Sequence, residues 1–239
     1  MQKATWKRWV GGAMVLLTLA VTSALGVGWL AFQHIPAWYD PPQLTPDDLP
    51  GVRASLPSIY QEFTDRLAVG GRFEFKLAAR TVNEWIAARA DLWPDARQIT
   101  PSWIKEPVMA FVDDRVVVGA RYERGDWRAI VSAHFEVTVE GDTLVIRLTK
   151  MAAGSLPMLM IMITDTLDER LADMFGERRS LPGRLGGLAT GRERLESVRT
   201  LQEGWPLENR LYWSNGERYF RLHDVHADDG WLVLSVETL

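Results

Sequence analysis

The stretch Trp127-Arg128-Ala129-Ile130-Val131-Ser132-Ala133-His134-Phe135-Glu136-Val137-Thr138-Val139 places an apolar side chain at every second position. That period is the mark of a strand with one face buried. Thirteen residues at about 3.3 Å each make roughly 43 Å, well beyond the usual strand. Gly141-Asp142 then turns the chain, and Leu144, Ile146 and Leu148 carry the pattern back. Upstream, residues 107–112 and 115–122 are strand-like and separated by Asp113-Asp114, and Gly125-Asp126 marks the next turn. The centre of the chain therefore reads as an antiparallel meander with one apolar face. Burying the seven alternating side chains is worth on the order of 10 kcal/mol, so that face needs a cover.

The flanks add helices. Leu56, Ile59, Tyr60, Phe63 and Leu67 recur at helical spacing, with Ser55 placed to cap and Gly70-Gly71 to stop. Phe73, Phe75 and Leu77 alternate as a strand, and Thr81-Val82-Asn83-Glu84 has the form of a capping box. After the meander, Gly154-Ser155-Leu156-Pro157 reads as a helix start, with Leu159, Ile163, Leu167 and Leu171 four apart. Residues 176–191 are loop-like, and Thr190-Gly191-Arg192-Glu193 repeats the capping-box form, opening a short helix to about Leu201. Asn215-Gly216 and Asp229-Gly230 signal hairpins near the end. The expected class is α+β: a long, curled antiparallel meander with two to four helices.

Val10 to Phe32 carries no charged side chain, and Lys3, Lys7 and Arg8 precede it. As a helix this run is roughly 34 Å long, enough for a bilayer core. The positive-inside rule then puts residues 1–9 in the cytoplasm, 10–32 across the membrane, and the rest outside. Residues 33–54 contain Pro36, Pro41, Pro42, Pro46 and Pro50 and read as an extended spacer before a domain over 55–239. The rival reading is a signal peptide cleaved near Thr22-Ser23-Ala24, although the run continues through Val27, Trp29, Leu30 and Phe32. With no cysteine, neither disulfides nor lipoprotein attachment is available.

Setting Lys3, Lys7 and Arg8 aside leaves 24 Lys+Arg against 31 Asp+Glu, a net charge of −7. This balance speaks against a nucleic-acid partner. His223 and His226 lie three apart, so on a strand they point to opposite faces; Asp224, His226 and Asp228 could share a face, but near a turn they read as a solvated edge, not a metal site. Gly186-Gly187-Leu188-Ala189-Thr190-Gly191 lacks the Lys-Ser/Thr of a phosphate loop. Neither Gly-x-Ser-x-Gly nor His-Glu-x-x-His occurs, so no catalytic residue, metal or cofactor is expected.

Phe73-Glu74-Phe75-Lys76-Leu77, Thr81 to Ile86, the long alternating strands and Gly154-Ser155-Leu156-Pro157 follow one another in an order that resembles the YpmS-like membrane-anchored proteins. The resemblance covers about residues 54 to 175. It implies a single anchor and an outside domain related in design to tubular lipid-binding domains, where a long curled sheet leaves an apolar tunnel. It brings no catalytic residues. From the residues themselves, Phe135, Val137, Met158, Leu159, Met162 and Ile163 are the candidate apolar lining. Five of the eight methionines fall between 151 and 174, where they either fill a core or make an adaptable wall for an acyl chain. The expected function is binding of lipid or another apolar envelope ligand. The alternative is an interaction module for envelope proteins, through the sheet or the arginine-rich segment at 176–200; an envelope hydrolase is a third reading.

Overall fold

A computed structural model describes residues 3–93, 104–125, 127–158 and 200–239, with the side chains of the first helix described from Met14 onward, Val15 excepted. The chain is α+β, and all strand pairings among the described residues are antiparallel. Helices α1 (Lys3–Phe32) and α2 (Leu49–Val69) precede β1 (Arg72–Ala78), α3 (Ala79–Ala87) and α4 (Arg89–Leu92). The meander follows as β2 (Ile104–Val112), β3 (Arg115–Arg124), β4 (Trp127–Glu140) and β5 (Thr143–Ala153). Last come β6 (Leu156–Pro157), β7 (Trp205–Glu208), β8 (Leu211–Trp213), β9 (Arg218–Asp228) and β10 (Trp231–Thr238). One sheet runs β1-β10-β9-β8 and the other β2-β3-β4-β5-β6, with β7 also on β5; among the described residues neither closes into a barrel.

The meander is where its alternation places it, and the turns explain the register. Asp113 and Asp114 both take positive φ, as do Gly125, Gly141, Asp229 and Gly230. Asp and Gly are the residues that tolerate that region, so the strand ends are fixed locally. Asn215-Gly216 likewise turns β8 into β9, with Gly216 at φ 113°.

Three helix expectations are corrected. Gly154-Ser155-Leu156-Pro157 starts no helix: Gly154 turns at φ 60°, and Leu156 and Pro157 pair with Ala153 and Ala152 as β6. The Ser155 hydroxyl that was free to cap donates to the Ala31 carbonyl instead. The helix expected from the Thr81 to Glu84 box is present with Trp85 and Ile86 on it, but it begins two residues earlier, directly off β1 at Ala79, whose N–H still donates to the Gly230 carbonyl. Glu84 pairs with Arg80, and the Asn83 side chain reaches from α3 to bond β2. Helix α2 starts six residues before Ser55, since Pro50 is compatible with a first turn, and Pro57 lies inside it. Ser55 accepts the Trp85 indole N–H and donates to the Val52 carbonyl. The helix expected after Pro157 and most of the one to Leu201 lie outside the described residues.

Phe63 and Leu67 of α2 meet Phe75, Phe220, Leu222 and Val236 of the first sheet and Leu144 of the second, with Val137 and Val139 against them. Phe63 alone makes edge contacts with Phe75, Trp213 and Phe220 at centroid distances of 4.9, 4.7 and 5.4 Å. One half of β4 is therefore covered by α2 and the first sheet. The other half is served on its opposite face by residues 36–39. Tyr39 packs with Val108 and Ile130, and the Trp38 ring fills the space that a Cβ at Gly119 would need. The proline-rich segment thus lies along the sheet, not clear of it, because it carries this aromatic pair.

Two buried asparagines join the parts. The Asn83 amide donates to the Met109 carbonyl (2.8 Å) and accepts its N–H (2.7 Å), closing the outer edge of β2. Asn209, only 3% exposed, does the same for Leu222 at 2.7 and 2.9 Å, while its own N–H donates to Asp142. Replacing Asn209 by Ala strands a buried donor and acceptor on β9, at about 1–3 kcal/mol each. We expect a loss of about 2–4 kcal/mol in chemical denaturation of the full chain in detergent, and Asn209→Ser to recover only a small part.

Candidate functional site

The two faces of the meander have different fates. Because directly opposed residues share a face, Met109, Val118, Ala133 and Met151 form one row across β2 to β5. The next row, Phe111, Val116, Phe135 and Leu148, is better covered, with Phe111 and Leu148 buried. The first row is not: Val118 is 38% exposed, and Met109, Ala133 and Met151 are half-buried. Met158 lies alongside, its N–H donating to the Met151 carbonyl at 2.9 Å, and is itself half-buried.

Of the expected lining, Phe135 and Val137 share this apolar face two residues apart and are half-buried. Val137 belongs to the packed core beside Phe63, so it supports the wall more than it lines an opening. Met158 borders the half-exposed row. Leu159, Met162 and Ile163 lie outside the described residues. Sequence reading missed Met109, Val118, Ala133 and Met151 as one row; the signal was their equal distance from the turns at 113–114 and 141–142, corrected for a bulge at Thr149.

A second concavity of about 910 Å³ lies between residues 40–52, α3 and the edge of β2, with Trp38, Pro41, Leu44, Arg80 and Met109 among its walls. Several of its polar side chains are already engaged: Asp48 accepts from the Thr45 N–H and hydroxyl, Asn83 holds Met109, and Glu84 pairs with Arg80. The two hydrogen bonds from Thr45 hold the Asp48 carboxyl below its ordinary value. This cleft was invisible in the sequence because its prolines read as a spacer.

The histidines near the end behave differently from expectation. The pairing of β9 with β10 slips at Ser235/Val236, leaving His223 as an extra residue. That bulge brings His223 Nε2 to 2.7 Å from Glu237, on the face that Asp224 and His226 occupy. Arg221 binds the same Glu237 oxygen at 2.6 Å, and these two partners, His223 first, hold the Glu237 carboxyl below the usual range. The expected divergence of the two histidines therefore fails, although no group able to hold a metal forms among the described residues.

Two groups where residues 36–39 meet the sheet, Tyr39 and His134, have shifted titration. The Tyr39 hydroxyl donates to the Glu106 carbonyl at 2.8 Å; burial, and next the Glu106 carboxylate, push its phenol up to about 12. Burial, then Lys150 and Arg115, hold the His134 imidazole below its ordinary value. Its ring meets Trp38 edge-on at 6.4 Å.

Compared with known proteins, the chain matches no family model, no curated protein and no solved structure.

The raised phenol value has a defined sign. Stability from Tyr39 is full below its unfolded value of 10.0 and is lost as pH rises through about 12. Between about pH 9 and pH 11 the parent chain should lose more stability than Tyr39→Phe, which lacks the proton. For His134 the shift is downward, so its contribution is present above the ordinary value near 6.5 and fades as pH falls. His134→Gln should flatten the loss of stability between about pH 7 and pH 5, read by denaturant titration.

Proposed function

We propose that this is a membrane-anchored extracytoplasmic protein that binds lipid or another apolar envelope ligand along the uncovered half of its meander. The observation that carries the reading is the half-exposed row Met109, Val118, Ala133 and Met151, bordered by Met158. Apolar surface spread over four adjacent strands gains by meeting an apolar partner, at about 25 cal/mol per Å². An acyl chain supplies such a partner at about 0.8 kcal/mol per buried CH₂ before ordering costs. Met109, Met151 and Met158 suit a ligand of variable shape, because thioether side chains adapt.

The anchor rests on the sequence of Val10–Phe32. Among the described residues no helix is long and apolar enough to cross a membrane. Helix α1 itself extends over Lys3–Phe32. The basic residues Lys3, Lys7 and Arg8 support an N-terminus in the cytoplasm. The YpmS-like resemblance implies the same topology, and rests on Phe73 to Leu77, Thr81 to Ile86 and the long strands.

A second reading, an envelope protein interaction module, is favoured by β8. It is the outer strand of its sheet, with Tyr212 exposed and paired with Tyr219 at 5.1 Å, and Arg210 lies over the Tyr219 ring.

The test is native mass spectrometry with lipid extraction on the full chain purified from a bacterial envelope fraction. The expected result is a stoichiometric lipid, reduced several-fold by Ala133→Trp, which fills the row from its centre. An empty, stable protein that also takes up no lipid from vesicles would overturn lipid binding and leave the interaction module.

A further inference from the structure

We propose that the start of β4 and the docked end of α1 form a second membrane contact, which holds the domain against the bilayer surface in one orientation. This rests on the reading of α1 as an anchor. Large apolar side chains of α1 stand exposed over most of its circumference: Met14, Leu16, Leu17, Leu19, Val21, Leu25, Val27 and Leu30. At 100° per residue the arc they leave carries Thr18 and Thr22, whose hydroxyls donate to the helix's own Met14 and Thr18 carbonyls, so the helix suits an apolar surrounding.

The end of this helix is fixed to the domain. Both the N–H and the hydroxyl of Ser155 donate to the Ala31 carbonyl, at 2.9 and 3.1 Å. They add to the longer bond of 3.4 Å that the His34 N–H makes to the same carbonyl at the helix end. Gly154 lies against the Ala31 and Phe32 carbonyls so closely that a Cβ has no room, and its φ of 60° also favours glycine. On the other side of the junction, Trp29 and Phe32 meet the Trp127 ring edge-on at 5.5 and 5.8 Å.

The depth of Trp127 is therefore set by the depth of Trp29. Trp127 is 57% exposed, Trp29 is 44% exposed, and Ile35, three residues past the helix end, stays open as well. Exposed tryptophans next to an apolar helix end are placed as an interfacial belt, where an amphipathic ring sits among headgroups. The adjacent Arg128 is exposed and supplies a positive charge for lipid phosphates. The occupant of this surface is the headgroup–acyl boundary of the bilayer that holds α1.

Because the chain has no cysteine, single introduced cysteines report one position each. Ala24→Cys, Arg128→Cys and Asp142→Cys are made in the full chain, labelled with a polarity-sensitive fluorophore, and reconstituted into phosphatidylethanolamine–phosphatidylglycerol vesicles. Lipids carrying a quencher in the headgroup or deep in the acyl chain read depth. The expected result is deep quenching at 24, headgroup-level quenching at 128, and several-fold weaker quenching at 142. Gly154→Val, which unseats the helix end, should drop the signal at 128 toward that at 142. Quenching at 24 with 128 as weak as 142 overturns the second contact and leaves the anchor standing. Quenching at 128 that Gly154→Val leaves unchanged overturns the docked helix end as its cause. No quenching at 24 overturns the anchor reading and this proposal together.

Discussion

Asn209 is the joint on which the two sheets depend. It sits where the chain passes from β7, paired to the long meander, to β8 of the other sheet. Its side-chain amide replaces the strand neighbour that Leu222 lacks, and its backbone N–H and amide reach the Asp142 and Gly141 carbonyls of the β4–β5 turn. A buried amide satisfied on both sides costs little to hold and much to lose. Through this joint Leu222 is delivered to Phe63, and the half of β4 near Val137 and Val139 receives its cover. At the other end of β9, Asp114 and Ala227 exchange bonds, and Gly230 donates to Phe111. The sheets are thus tied at two places by polar groups and filled between by apolar ones.

What the sequence made legible is what short-range chemistry decides. Alternation located β1, β4 and β5, strand-like runs located β2 and β3, and Asp-Asp, Gly-Asp and Asn-Gly turns located strand ends, because positive φ is a local demand. Helix starts were misread wherever a hydroxyl had a better use elsewhere. Ser155 goes to Ala31 and Ser55 to Trp85. A capping residue is recognised by what its side chain could do nearby, and tertiary partners compete for the same lone pairs. Asn83 and Asn209 carried no signal at all, since a lone asparagine in a sequence does not reveal the strand edge it completes.

The prolines of residues 33–50 taught the same lesson in another form. Proline restricts the chain without saying where it lies, and an extended segment serves equally as a spacer or as a strap. Trp38 and Tyr39 decide the matter, because Gly119 opens a slot for the first and Val108 and Ile130 receive the second. The candidate site was half legible for a related reason. Periodicity identified the apolar face and so Phe135 and Val137, but cover is not periodic. The first sheet reaches Val137 and leaves Val118, so the opening falls nearer the turn at Gly125 than the expected lining did.

That displacement alters what the site can exchange with. A free proline-rich linker of some sixteen residues at about 3.1 Å each could hold the domain roughly 50 Å from its helix. With residues 36–39 on the sheet and Ser155 on the helix end, that reach is not used. From Trp127 to Ala133 the strand rises about 20 Å, slightly more than the roughly 15 Å thickness of one leaflet's hydrocarbon. In the proposed arrangement, an apolar ligand moving from the bilayer to the half-exposed row would travel along the face of β4 by little more than its own length. A fixed distance of this size favours ligands long enough to keep one end in the membrane while the other is bound, and it makes acyl chains better suited to the row than compact apolar molecules.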